Sequence, residues 1–334
     1  MLNRYLPLFF VSFIIGTFFI PKIIRLAIKY DAVDKPTHRK VHRKIIPLWG
    51  GVAIYLSFFL TIGIYFLFST YFRDSLFINS FFLGKKLLGL FLGSTFLLLV
   101  GIIDDKWGLP PKIKLLGQII AVIIILLFDV RILGVTFPFV NKYISLPYFI
   151  SVFVTLIWVV TIINSINFID GLDGLAGGIA FISCISFFII AFFKPPLSGF
   201  LFANKVSYFI SVISIILGGG LLAFLRFNFM PAKIFMGDCG SQFLGLMLAS
   251  LSIIGSFKGI TAITLFTPVL ILSIPIFDIV FAVYRRIKKH APISKADKSH
   301  IHHRLLAIGL TPKQAVIILY IISIIFSSIA VILS

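Results

Sequence analysis

Residues Pro147 to Phe193 read PYFISVFVTLIWVVTIINSINFIDGLDGLAGGIAFISCISFFIIAFF. Two apolar runs, 147–163 and 175–193, flank eleven residues that hold every carboxylate and every side-chain amide of the stretch. Each run has the roughly 17 to 25 residues needed to cross the hydrocarbon of a bilayer. No water reaches backbone groups there, and the runs are too long and too uniformly apolar for barrel strands, so both are predicted to be helices. The stretch therefore reads as membrane helix, short polar loop, membrane helix.

The same pattern extends along the whole chain. Apolar runs fall at about 5–29, 48–70, 86–103, 113–130, 147–163, 175–193, 205–225, 240–256, 260–284 and 313–333, which predicts ten transmembrane helices. The composition agrees: 60% of residues are hydrophobic, 12% are charged and the mean hydropathy is +1.12, whereas soluble domains carry about a quarter charged residues. The expected fold is all-α, a polytopic membrane helix bundle forming a single domain over residues 1–334, and no stretch remains for a soluble domain. The first run is followed by a basic loop and further spans, so it reads as a retained helix and not a cleaved signal.

All 11 acidic residues are aspartates. Nine of them, with all six histidines (His38, His42, His290, His300, His302 and His303), fall in or beside connections on one side of the predicted bundle. Those connections are Tyr30 to Pro47, Asp104 to Lys114, Asn164 to Gly174, Arg226 to Cys239 and Arg285 to Lys313, and 19 of the 30 Lys and Arg lie in or next to them. The positive-inside rule puts this side in the cytoplasm and, with an even number of spans, both termini outside. Attraction to anionic lipid accounts for the +19 charge as readily as a substrate does, and both can hold. The opposite connections, Arg73 to Lys86, Arg131 to Leu146 and Lys194 to Lys205, carry no cluster of potential ligands. No internal repeat of the transporter kind is evident, and Cys184 and Cys239 are placed unfavourably for a disulfide.

Four inner loops carry candidate chemistry. Asp104-Asp105, followed by Lys112 and Lys114, places adjacent carboxylates that cannot both ionise cheaply unless a basic group or a cation offsets them. The pair is a candidate general base or metal anchor; a solvated helix end is the plainer reading. In Asn164-Ser-Ile-Asn167-Phe-Ile-Asp170-Gly-Leu-Asp173-Gly174, a helical backbone would set four oxygen-bearing side chains along one face. Oxygen donors suit Mg²⁺, which keeps waters and bridges to substrate phosphates, while the glycines permit close backbone approach to a phosphate. Lys233-Ile-Phe-Met-Gly237-Asp238-Cys-Gly240-Ser241 adds a carboxylate at the mouth of a span, as a metal ligand or a helix cap. His300-Ile-His302-His303-Arg304 lacks partners at zinc spacing and is better suited to diphosphate oxygens, with a cationic loop on anionic lipid as the plainer reading. The basic loop Asp31 to Lys44 could bind lipid or phosphate, and Asp278, costly in hydrocarbon unless it faces the bundle, reads as a supporting or ion-pair group.

Taken in order, Gly101-Ile-Ile-Asp104-Asp105 with Lys114, Asn167-Phe-Ile-Asp170-Gly-Leu-Asp173-Gly, Lys233 to Ser241 and His300-Ile-His-His-Arg304 resemble the motifs of the polyprenyl-phosphate N-acetylhexosamine-1-phosphate transferases across essentially the whole chain. The His-Ile-His-His-Arg form is similar to the branch that uses UDP-N-acetylglucosamine and undecaprenyl phosphate. The resemblance implies transfer of GlcNAc 1-phosphate to the lipid with release of UMP, at the cytoplasmic face of a bacterial inner membrane, as an early step of a cell-surface glycan such as O-antigen or a teichoic-acid linkage unit. It implies Mg²⁺, with Mn²⁺ able to substitute, held by Asn167 and Asp238. Catalytic roles then fall to Asp104, Asp105, Asp170 and Asp173, with Asp104 or Asp105 as the base, and substrate contacts to Lys114, Asn164, Lys233, His300, His302, His303 and Arg304. The implied partners are a UDP-N-acetylhexosamine, undecaprenyl phosphate and the bilayer, no nucleic acid, with a homodimer left open. Ile45, Leu48 and His290 depart from the family pattern, at positions that bear on nucleotide or sugar contacts.

Two other classes fit the sequence less well. A CDP-alcohol phosphatidyltransferase needs Ala-Arg soon after the first Asp-Gly and a later Asp-x-x-x-Asp, and neither follows Leu175-Ala-Gly177. An ion-coupled transporter would hold its carboxylates near mid-membrane on broken helices, whereas these lie at the ends of spans.

Overall fold

The computed structural model describes residues 4–36, 45–71, 81–137, 142–193, 201–255, 266–288 and 300–334. Along them run α1 (Tyr5–Lys29), β1 (Val33–Asp34), β2 (Ile46–Pro47), α2 (Gly50–Tyr71), α3 (Phe81–Trp107), α4 (Pro111–Leu127), β3 (Gly134–Phe137), β4 (Lys142–Ser145), α5 (Tyr148–Ile169), α6 (Leu175–Phe193), α7 (Leu201–Asn228), α8 (Gly237–Gly255), α9 (Phe266–Ile271), α10 (Ser273–Lys288), α11 (Ile301–Ala307) and α12 (Pro312–Leu333). The protein is an all-α polytopic membrane bundle. Among the described residues its sheet is limited to two antiparallel pairs, β1 with β2 and β3 with β4.

Eight described helices (α1, α2, α3, α5, α6, α7, α8 and α12) are long and apolar enough to cross a membrane, against the ten expected, and each difference has a local cause. The run expected at 113–130 yields α4, only 17 residues long, bounded by Pro110 and Pro111 at its start and by Asp129 in the left-handed region (φ 60°) after its end. The run expected at 260–284 begins outside the described residues, and its described part is divided into α9 and α10. Pro275 has no N–H to return to the carbonyl four residues back, and the Ser183 hydroxyl donates to that carbonyl, Ile271 O, at 3.4 Å instead.

Helix α8 is the hub. Every residue from Cys239 to Ile254 is buried, with α5 and α3 its most extensive neighbours. Lipid tails are as apolar as leucine, so helices associate in a bilayer by close packing and by interhelical hydrogen bonds, which favours small residues at the crossings. The amino end of α8 shows this directly. A Cβ on Gly101 would lie 2.3 Å from Cys239 Cα, and one on Gly51 2.1 Å from Gly240 Cα. Three backbone hydrogen bonds clamp the chain before α8 onto the turn that starts α2: Phe235 N to Pro47 O (2.8 Å), Gly50 N to Phe235 O (2.9 Å) and Gly51 N to Met236 O (2.9 Å). The β2–α2 turn, the end of α3 and the segment before α8 are thus gathered at one end of the bundle.

Candidate active site

Helix α5 stops at Ile169, with Asp170 as its C-cap. Asn164 and Asn167 are therefore on the helix, while Asp170 and Asp173 are on the turn that leads to α6. The single helical face expected for all four is not formed. Gly174 turns the chain at φ +82°, and its amide donates to Asn228 Oδ1 (2.9 Å), whose Nδ2 donates to Ile234 O (2.9 Å). Tyr320 on α12 donates to Gly174 O at 2.5 Å, and Ala232 N donates to Asp173 Oδ2 at 2.9 Å. The turn is thereby tied to the segment before α8 and to the last helix.

At the facing helix ends, Lys114 Nζ bridges two carboxylates, 2.5 Å from Asp104 Oδ2 and 2.7 Å from Asp238 Oδ2. Asn167 Nδ2 donates to Asp238 Oδ1 and to Ser241 Oγ, both at 2.9 Å. The neighbouring Asp105 faces elsewhere. Its two oxygens accept the backbone amides of Asp238 (2.6 Å) and Cys239 (3.3 Å), so it caps the amino end of α8, where N–H groups lack partners within the helix. Gly237 makes room for it: φ is +74°, and a Cβ there would be 2.4 Å from Asp105 Oδ2.

These groups border a cavity of about 980 Å³. Of the residues singled out from sequence, Asp104, Asp105, Lys114, Asn167, Asp170, Asp173, Asp238 and His303 line it. Asn164, Lys233, His300, His302 and Arg304, expected as substrate contacts, do not. Asn164 is held inside the bundle by Gln118, its Nδ2 donating to Oε1 at 2.7 Å, and Lys233 and Arg304 point to the exterior. His300 is paired with Asp278, Nδ1 to Oδ2 at 2.7 Å, the supporting role expected of that aspartate. His302 is 2% exposed and lies over Gly171, where a Cβ would be 2.4 Å from its Nε2. Burial, and secondarily the charge of His303, pull the His302 pKa down to about 4. His38, His42, His290 and Asp297 lie outside the described residues, as do the first basic loop beyond Pro36 and the Ser294 to Lys298 segment.

Sequence reasoning missed several contributors. Asp34 on β1, read only as part of a loop able to bind lipid or phosphate, lines the cavity, as does Leu48, one of the departures from the family pattern. Asn228, Ser241 and Tyr320 position the loops, as described above. A buried polar residue at the very end of a span, as Asn228 is, was the available signal; Tyr320 carried none, because a tyrosine within an apolar run looks like an interfacial anchor.

The donor chemistry of the cavity fits a hard divalent cation. Among the described residues the Asp170 carboxylate has no hydrogen-bond partner. Burial, then the negative charges of Asp238 and Asp173, push its pKa up to about 7. Lys114 is the cation paired with Asp104 and Asp238 among the described residues, one positive charge against two carboxylates. Among the described residues no three His, Cys or Asp side chains are drawn together as a metal site, so an ion here would depend on ligands from outside the protein. Oxygen donors that leave most of the coordination sphere to water and substrate phosphate are the kind that Mg²⁺ uses.

Comparison with known proteins adds independent findings. The pattern of glycosyl transferase family 4 matches residues 87–256. The probable undecaprenyl-phosphate N-acetylglucosaminyl 1-phosphate transferase of Bacillus subtilis is 38% identical over 333 residues, covering 99% of this chain and 85% of that protein. The decaprenyl-phosphate N-acetylglucosaminephosphotransferase of Mycobacterium tuberculosis is 32% identical over 331 residues, 95% of this chain and 80% of that protein. The undecaprenyl-phosphate alpha-N-acetylglucosaminyl 1-phosphate transferase of Haemophilus influenzae is 32% identical over 338 residues, 96% of this chain and 85% of that protein.

Proposed function

Because the chain belongs to glycosyl transferase family 4, we propose that it transfers N-acetylglucosamine 1-phosphate from UDP-N-acetylglucosamine to undecaprenyl phosphate, releasing UMP. The observation that carries this reading is the cavity in which Asp104, Asp170, Asp173 and Asp238 meet Lys114 and Asn167 at the polar end of an apolar bundle. A soluble, charged donor can enter such a site from water while the lipid acceptor presents its phosphate from the membrane. Neither the phosphatidyltransferase nor the transporter reading gains support, since the carboxylates gather at helix ends around one cavity. The positive-inside pattern supports a cytoplasmic site in a bacterial inner membrane, and the product suits the start of a cell-surface glycan.

In the proposed reaction an oxygen of the lipid phosphate attacks the phosphorus next to the sugar. A new P–O bond forms, the bond to the UMP oxygen breaks, and UMP leaves with that electron pair. Lys114, held between Asp104 and Asp238, carries positive charge to the diphosphate, and its shift toward the phosphates frees Asp104 to take a proton from the lipid phosphate. Asp105 is a poor choice of base, because both of its oxygens already accept amides of α8. Asp105 instead sets the position of Asp238. His303, on the cavity wall, lies where it can bond to diphosphate oxygens. Asp238, Asn167 through its Oδ1, and Asp170 and Asp173 would hold a bound Mg²⁺ or Mn²⁺. That ion supplies neutralisation of the charge that builds on the diphosphate.

The test uses purified protein in detergent with undecaprenyl phosphate and a panel of UDP-sugars. UMP should appear in equal amount with a lipid-diphosphate-GlcNAc; EDTA should stop turnover, and Mg²⁺ or Mn²⁺ should restore it. Absence of UMP with every donor would refute the assigned reaction, and full turnover in chelator would refute the metal assignment.

A further inference from the structure

Asp278 on α10 does not line the cavity, and no step of the proposed reaction uses it. Its side chain is 1% exposed, and a buried carboxylate is costly unless its oxygens are bonded. Both are. Oδ2 meets His300 Nδ1 at 2.7 Å, and Oδ1 accepts the amide of Ile301 at 2.8 Å. These two bonds hold the first residue of α11 and the histidine that caps it. The His300 ring also lies against Phe168, with centroids 5.4 Å apart. Two residues further on, His302 is seated on Gly171. Helix α11 is thus registered at two points, by Asp278 and by Gly171, and its next residue, His303, reaches the cavity wall.

We propose that Asp278 is a positioning residue for the transfer reaction: by holding His300 and the Ile301 amide, it sets the register of α11 and so places His303 at the cavity. The inference rests on the function proposed above. A carboxylate that only stabilised the bundle would act on catalysis without regard to His303, whereas a positioning residue acts through it.

The experiment is a double-mutant cycle of Asp278→Ala and His303→Ala, read as kcat/KM with UDP-GlcNAc and undecaprenyl phosphate. Alone, Asp278→Ala should lower kcat/KM by about 10- to 100-fold, the usual effect of removing a buried carboxylate that orients an imidazole. In the His303→Ala background the same change should cost less than about threefold, since residues that act as one unit are not additive. Asp278→Asn, which can still accept from Ile301 N and donate to a neutral His300, should retain more activity than Asp278→Ala. A second readout is independent of turnover: modification by diethyl pyrocarbonate, located by mass spectrometry. His300 and His302 should be protected in the native protein and reactive in Asp278→Ala. Equal losses in both backgrounds, or unchanged protection of the two histidines, would overturn the inference. Native protein that fails to turn over any UDP-sugar would refute the function instead, and the protection pattern would still decide whether Asp278 holds α11.

Discussion

Gly237→Ala should destabilise the protein mainly through Asp105. Alanine at φ +74° carries a left-handed penalty of about 1–2 kcal/mol. The new methyl would also stand 2.4 Å from Asp105 Oδ2 and 2.9 Å from its Cγ, so the carboxylate has to move. Asp105 is bonded to the amides of Asp238 and Cys239, and stranding one buried donor costs about 1–3 kcal/mol. The sum is about 2–5 kcal/mol for Gly237→Ala. In an Asp105→Ala background the carboxylate that the methyl would meet is gone, so the same change should cost only the backbone term of about 1–2 kcal/mol. The cycle therefore predicts a coupling of about 1–3 kcal/mol, with the double variant less damaged than the sum of the singles. The assay is SDS titration of the four proteins in detergent micelles, followed by far-UV circular dichroism. Costs additive to within about 0.5 kcal/mol would mean that Gly237 is not there to accommodate Asp105, and the account of the α8 cap would fail.

Three further outcomes are expected. Lys114→Met leaves Asp104 and Asp238 without their shared cation and should lower kcat by about 10² to 10³, the usual cost of losing one electrostatic stabiliser; a loss below threefold in the UMP-release assay would remove Lys114 from the site. His302 has a folded pKa near 4 against about 6.5 when unfolded. The unfolded chain thus binds the extra proton between those values, and stability should fall as pH drops through that window, by about 2–4 kcal/mol in all. SDS titrations at pH 7 and pH 4.5 measure this, and the same slope in His302→Asn would assign it to another group. With Cys184 and Cys239 replaced, a single cysteine at Lys112 should resist an impermeant thiol reagent in intact cells while one at Lys142 is labelled; the reverse pattern would put the carboxylate loops on the outer face.

Sequence alone determined the class of the protein and the inventory of its chemistry. In a bilayer every backbone N–H and C=O must be satisfied within its own segment, so the lengths of apolar runs dictate helices, and polar residues left at their ends are costly enough to mark the site. The Asp104-Asp105, Asn167 to Asp173 and Asp238 motifs were legible for that reason. Their division of labour was not. Adjacent residues on a helix point about 100° apart, so Asp104 and Asp105 cannot share a role, yet only the packing of α3 on α8 decided that Asp104 meets Lys114 and that Asp105 caps α8. The same holds for Asp278 and His300, 22 positions apart, and for Tyr320 and Gly174, 146 apart. The turn after Ile169, which broke the expected row of four oxygens, also belongs to tertiary structure, because its Gly174 amide, Gly174 carbonyl and Asp173 carboxylate find partners on α7, α12 and the segment before α8. Periodicity and run length report which surfaces a helix must bury; which residue meets which depends on how the helices cross.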